Sequence, residues 1–341
     1  MPTTYAIPDG RTVMAATLYT GTGATQTISN SANGVSFQPD LVWVKGRSGA
    51  TDHAWYDAVR GVQKQLESNN SAAETTETTG LTAFGTTGFT IGALAQMNTN
   101  AATYVGWQWN AGGSTVTNTS GSISSQVRAN PTAGFSVLTF VGQTSGTATV
   151  GHGLGVAPSV IIVRSYNNSS AWYTYFITIG PSGWLDLAST GAAVTGNSAA
   201  FGGVSPTSTV FTYGSGLINQ GNVVAYCFAP VAGYSAFGKY TGNGSADGPF
   251  TYLGFRPRFI MFKRTDSTGS WFMEDSSRGT YNVMGPELYA ESSAAEATAT
   301  RLDFLSNGFK MRAANAGDNA NGGTYIYMAF CENPFKFSNA R

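Results

Sequence analysis

A run of four apolar residues, opened by a proline two positions earlier and closed by a basic residue, recurs three times: Pro39-Asp-Leu-Val-Trp-Val-Lys45, Pro158-Ser-Val-Ile-Ile-Val-Arg164 and Pro257-Arg-Phe-Ile-Met-Phe-Lys263. A second apolar pattern follows each: Tyr104-Val-Gly-Trp-Gln-Trp109, Val223-Val-Ala-Tyr-Cys-Phe228 and Tyr325-Ile-Tyr-Met-Ala-Phe330. From proline to final aromatic the separation is 70, 70 and 73 residues. Runs this short fit either a buried strand or a segment of buried helix. Their β-branched and aromatic content, and the Pro and Gly that bound them, favour strand. In a strand Leu41, Trp43 and Lys45 share one face, and Val42 and Val44 the other. Both faces are mostly apolar, which predicts central strands covered on each side.

Other landmarks keep step with the repeat. Leu18-Tyr-Thr-Gly-Thr-Gly23, Phe140-Val-Gly142 and Lys239-Tyr-Thr-Gly-Asn-Gly244 open the three copies, and Asn98, Asn219 and Asn319 precede the last strands. Copies one and three also share Ser71-Ala-Ala-Glu74 and Ser293-Ala-Ala-Glu296. Asn33-Gly34, Asn243-Gly244, Asp247-Gly248, Asn307-Gly308 and Gly322-Gly323 are turn signals, since Gly and Asn tolerate positive φ. The strongest helical candidate, Ser292 to Thr300, lacks an apolar stripe. The expected fold is therefore all-β: three tandem sandwich-like modules of about 95–100 residues. Their expected bounds are 17–113, 135–233 and 235–337, with an N-terminal arm over 1–16 and a polar linker over 114–134 that contains a possible extra strand (Ser122 to Arg128). The short junction Ala229–Gly233 predicts modules two and three held rigidly together and module one less so.

Composition narrows the function. The 341 residues carry 18 basic and 18 acidic side chains, 11% charged, against roughly a quarter in an ordinary soluble domain. Net charge is zero, so extensive phosphate neutralisation is not expected, and neither nucleic acid nor membrane insertion is an expected mode of action. No signal peptide pattern opens the chain, and no apolar run is long enough for a spanning helix. The expected place of synthesis is a cytoplasm. Cys227 and Cys331, each beside an aromatic residue, read as small buried hydrophobes.

Catalytic constellations are poorly represented. His53 and His152 fall in different modules and read as turn or hydrogen-bonding histidines; Gly151-x-Gly-x-Gly155 precedes a strand and reads as a glycine turn, not a nucleotide loop. Asp57, Asp186 and Asp275 each follow a tryptophan by two or four residues and are expected to accept turn hydrogen bonds. Glycosidase carboxylates are the weaker reading. Asp247 and Asp266 are the calcium candidates, again the weaker reading. The expectation is a protein that is not an enzyme and has no catalytic residues, metal or cofactor. Trp55, Trp172 and Trp271 occupy similar places in the copies, which suggests a core role. Aromatics crowd module two, and Tyr166, Tyr173, Tyr175 and Trp184 are the candidate glycan- or receptor-binding residues, although core and inter-subunit packing is the stronger reading of the cluster.

The Leu253-Gly-Phe-x-Pro-x-Phe-Ile-x-x-Lys263 strand, the glycine-rich openings and the Asn319…Thr324-Tyr-Ile-x-x-x-Phe330 endings resemble a phage-encoded, uncharacterised domain family found in tail-fibre and other virion proteins. The resemblance spans residues 17 to 337, with copy two departing most. It implies a virion location and a structural role: a tail fibre or tail appendage that attaches to the host surface, folded in the host cytoplasm. A homo-oligomer (a trimer), other phage tail or virion proteins and a host surface glycan are the implied partners. A capsid decoration or tail adaptor protein, or a glycan-binding module protein, are the alternatives.

Overall fold

A computed structural model describes residues 5–32, 34–217 and 221–334. Asn33 and Asn219 of the sequence reading, and residues 335–337, lie outside them. The chain is all-β. Among the described residues the helical turns are Gly10–Thr12, Ala95–Asn98 and Ser215–Leu217.

Each apolar run lies in a strand with apolar cover on both faces. Leu41–Gly46, Val160–Ser165 and Phe255–Arg264, the proline strands, lie antiparallel to the closing strands Thr103–Trp109, Asn222–Phe228 and Thr324–Pro334. On the far side of each closing strand runs an opening strand, Met14–Thr20, Phe135–Val141 or Ser235–Thr241. The register is the same each time: Trp109, Phe228 and Phe330 pair with Leu41, Val160 and Phe259. Every sheet takes its strands from one third of the chain.

Alternation assigns the two faces to two interiors. Val42 and Val44 look into a local core with Ile28, Phe89 and Ile91 of the small sheet Gln26–Ser29, Gly88–Ile91 and Leu81–Gly85. Ile161 and Val163 do the same in the second repeat, over Ala148–Gly151 and Val210–Tyr213. In the third repeat the layers join through Met284–Tyr289 and Ala297–Leu305 into eight strands that nearly close as a barrel. The opposite faces, bearing Leu41 and Trp43, Val160 and Ile162, Phe259 and Met261, meet in one shared core. At its centre Trp109, Phe228 and Phe330 form a closed triangle of edge-on rings, with centroids 6.4, 5.7 and 5.8 Å apart.

The segment 292–300, which lacks the apolar stripe of a helix, is not helical: Ala297–Leu305 is a strand, and the backbone just before it is committed to bonds with the first repeat. Three expectations need correction. The first repeat is not loosely held, because it bonds both others. The described part of the arm is folded onto the body, with the Tyr5 ring against Gly233, Gly10 against the Cys331 carbonyl, and residues 14–16 inside the opening strand. Trp55 is not the counterpart of Trp172 and Trp271. Leu41, Val160 and Phe259 face Asp57, Phe176 and Asp275, so the position four residues earlier is His53, Trp172 and Trp271. Val116–Asn118 and Ser125–Asn130 extend the edge of the second sheet.

Candidate functional site

The most elaborate polar chemistry lies at the seams between repeats. The basic residue that closes each apolar run is buried and reaches a neighbour's backbone. Lys45 Nζ donates to Ser293 O at 3.2 Å, Arg164 to the carbonyls of Asn70, Ser71 and Ala72, and Lys263 Nζ to Thr190 O at 3.0 Å. The order is cyclic: first onto third, second onto first, third onto second. Burial brings Lys45 and Lys263 down to about 8 and Arg164 down to about 10. Backbone bonds repeat the cycle. Thr51 N donates to Ser293 O, Ser170 N to Ser71 O and Gly269 N to Thr190 O; in return Glu296 N donates to Arg47 O, Glu74 N to Tyr166 O and Ala193 N to Thr265 O. The Ser-Ala-Ala-Glu block is thus a docking edge.

A ring nitrogen makes the next contact. Trp172 Nε1 donates to Glu67 O at 2.9 Å and Trp271 Nε1 to Asp186 O at 2.9 Å. In the first repeat His53 does this, with Nε2 3.0 Å from Tyr289 O and 3.2 Å from Ser292 O, while its Nδ1 accepts from Trp43 Nε1 at 2.7 Å. Those partners fix the neutral Nε2–H tautomer, and burial, with Lys45 nearby, holds the ring down to about 3.

Two seams also carry buried ionic groups. Arg60 bonds Asp57 at 2.6 Å and Glu74 at 2.7 Å, and Tyr226 of the second repeat donates to Asp57 at 2.7 Å. In the third repeat Arg278 bonds Asp275 at 2.5 Å and Glu296 at 3.2 Å, and Trp107 of the first repeat donates to Asp275 at 3.0 Å. Burial opposes the charge on Arg60, but Asp57, Tyr226 and Glu74 outweigh it and hold the guanidinium protonated. The second repeat has Phe176, Ile179 and Ala193 at these places, all in or against the shared core. A buried ionic cluster and an apolar cluster thus fill the same structural position, an exchange that tends to be near-neutral when all members change together.

The Asp57 and Asp275 carboxylates also accept the turn amides of Val59 and Arg60, and of Ser277 and Arg278, and Asp186 accepts the turn amide of Ala188 and, from across the strand pair, the amide of Trp172. His152 caps its own turn, accepting from Leu154 N. Gly153 and Gly155 both have φ +73, as a glycine turn requires. Both cysteines are buried free thiols. Asp247 is bound by Lys310 and Asp266 by Arg264. No cluster of three metal-ligating acids, histidines or cysteines occurs among the described residues.

The proposed glycan-binding aromatics divide. Tyr175 is a correction: it is 2% exposed, with its ring against Phe201, and offers no face to a sugar. Tyr173 and Trp184 pack edge-to-face at 4.9 Å on the second repeat's core, and Tyr166 is half-buried against the shared core. The aromatic crowding is therefore largely packing. Sequence reasoning missed Phe250 and Tyr252, which are 46% and 58% exposed; their alternation in an otherwise polar edge strand was the available signal. A shallow recess of about 280 Å³ lies between residues 46–51 and 99–104, continuing into one of about 340 Å³ beside Asp52 and Gln96. Its lining is mostly Gly, Ala, Ser and Thr. Asp52 accepts from Asn69, so the recess can offer hydrogen bonds but holds no paired acid and base.

These features define a class of protein: a single-chain β assembly in which three repeats close on one another like the subunits of a trimer. Over residues 9–334 the chain matches the model of a family described as a domain of unknown function, DUF7483, and it belongs to that family. No curated protein and no solved structure matches it.

Proposed function

We propose that the chain is a structural component of a bacteriophage virion, a tail fibre or tail appendage engaged in attachment to the host surface. The observation that carries this reading is the cyclic interlock. Three basic side chains, three ring nitrogens and six backbone bonds tie each repeat to both others. Such seams hold a particle component rigid without a bound ligand. The net-neutral, sparsely charged and Gly-, Ser- and Thr-rich composition supports the same reading, because a surface with few charges is little affected by salt. This reading assigns no catalytic step, and it places the chain in the virion after folding in the host cytoplasm.

A trimer's three β units are here supplied by one chain, so one copy suffices to cap a trimeric shaft. The cyclic arrangement also favours a second reading, a decoration or adaptor protein seated at a threefold position of the particle. Gold-labelled antibody against the chain, applied to particles assembled from the genome that encodes it, tests both. Label on tail appendages supports the first reading and label on heads the second. Purified particles without the chain refute both.

A further inference from the structure

The three repeats serve as controls for one another, and on one face the third departs from the first. The register places Phe250 beside Lys310 and Lys310 beside Asp303, with Tyr252 beside Gly308. The corresponding row in the first repeat is Thr27, Thr90 and Ala83, with Ser29 at the place of Tyr252. There Thr27 and Thr90 simply hydrogen-bond each other at 3.0 Å. Small side chains are thus sufficient to maintain this small sheet. The fold does not need two exposed aromatic rings, a cation and a carboxylate in their place.

The chemistry of that face is mixed in a specific way. Phe250 and Tyr252 are two residues apart on one strand, which puts their side chains on the same side about 6.7 Å apart. Phe250 leans over Gly308, where an added Cβ would stand 3.0 Å from its ring. Beside the rings Lys310 bonds Asp247 at 2.8 Å, and Arg312 bonds Asp303 at 2.5 Å. Asp303 is 5% exposed, and its Oδ1 has no hydrogen-bond partner among the described residues. Arg312, whose side chain is 35% exposed, bonds the other oxygen, Oδ2.

We infer that this face of the third repeat, centred on Phe250 and Tyr252, is a saccharide-binding site. A sugar ring has an apolar C–H face and a rim of hydroxyls. The two aromatic planes suit the former. Lys310 and Arg312 donate to hydroxyl oxygens. The two half-exposed rings offer about 200 Å² of surface in all, far below the roughly 800 Å² per partner of a stable protein interface. That size favours a small polyol over a second protein. The inference rests on the attachment reading and adds to it the position and chemical class of the receptor contact.

The test is the full chain on an array of several hundred oligosaccharides, beside a double variant Phe250→Thr, Tyr252→Ser. These substitutions install the first repeat's residues, so they suit the local fold, and an unchanged unfolding midpoint verifies that. Binding of at least one glycan by the original chain, weakened roughly tenfold or more in the variant, is the expected result. No binding to any glycan overturns the inference, as does glycan binding that the variant retains. Self-association lost in the variant also overturns it and assigns the patch to contacts between copies. Each of these leaves the virion location intact, which the labelling experiment decides separately.

Discussion

His53 offers the sharpest test of the seam chemistry. The imidazole is fully buried between the first and third repeats. It accepts from Trp43 at Nδ1 and donates from Nε2 to two carbonyls of its neighbour. A second proton on Nδ1 would point at the Trp43 N–H, inside the core and near the Lys45 ammonium. Burial therefore lowers the folded-state value from 6.5 to about 3. The unfolded chain takes up a proton near pH 6.5 and the folded chain does not, so stability falls as pH drops from about 6.5 towards 3. At pH 5 the group has cost about 2 kcal/mol relative to neutral pH. His53→Gln keeps a donor and an acceptor but cannot titrate. Urea unfolding of both proteins at pH 7 and pH 5 gives the relevant number as a difference of differences, which cancels every other titrating group. The original chain should lose about 2 kcal/mol more than the variant between the two pH values. Parallel losses would mean that His53 is charged in the folded protein, and the assigned tautomer would be wrong.

Other consequences can be read by the same unfolding assay. Arg60→Ile alone strands the buried Asp57 carboxylate and should cost about 3–5 kcal/mol, whereas Asp57→Phe, Arg60→Ile, Glu74→Ala and Tyr226→Met together, the residues found at the apolar seam, should recover most of that loss; equal losses would refute the equivalence of the seams. Glu274 is fully buried, and neither of its carboxylate oxygens has a hydrogen-bond partner among the described residues. Burial raises its pKa well above the ordinary value of 4.5, so the stability its bound proton contributes is fully present below about pH 4.5 and is lost as pH rises through the folded value. Glu274→Gln should raise stability at pH 8 by about 1–3 kcal/mol with little gain at pH 4, and an equal gain at both would contradict the assignment. Tyr175→Ala should lower stability by about 3–5 kcal/mol, the usual cost of emptying a buried aromatic site; an unchanged midpoint would show that the ring is not part of the core.

The repeat was legible because its cause is local. Four apolar residues bounded by proline and a basic side chain make a strand covered on both faces in each of the three copies, and their near-constant spacing disclosed the three main sheets. The Asp57 and Asp275 carboxylates were also readable as turn acceptors. What the sequence hid was where each apolar face went. The alternation of Val42 and Trp43 says that two cores exist, but not that one of them is common to all three repeats. The equivalence of His53 with Trp172 and Trp271 was hidden for a related reason. Trp55 is the conspicuous residue, and only the pairing of Leu41 with Asp57 shows that its position belongs to Thr174 and Met273 in the other repeats. The crowded aromatics around Tyr175 misled because a strand covered on both faces has the same composition as a stacking platform. Exposure depends on the neighbouring sheet and not on the strand itself.

Covalent fusion explains how such different seams can coexist. In a homotrimer a substitution at the Asp57 position would appear at all three seams, and an unpaired partner would be buried three times over. Within one chain each seam varies alone. The second repeat can exchange Asp, Arg and Glu for Phe176, Ile179 and Ala193 while its neighbours keep their buried ions, provided each set changes as a unit. The same freedom applies to the outer surface. Thr27 and Ser29 can remain small and polar while Phe250 and Tyr252 replace them on a single repeat, which no symmetric trimer could do. The fused chain thus keeps the rigidity of a closed threefold ring and gives one of its three faces a chemistry of its own. A contact made once per molecule then differs from one made three times: its strength is set by a single site and not by avidity among equivalent sites. If the Phe250 face binds saccharide, the isolated chain should titrate with one ligand per molecule. A stoichiometry of three would return the site to a feature common to the repeats, and the argument from their differences would fail.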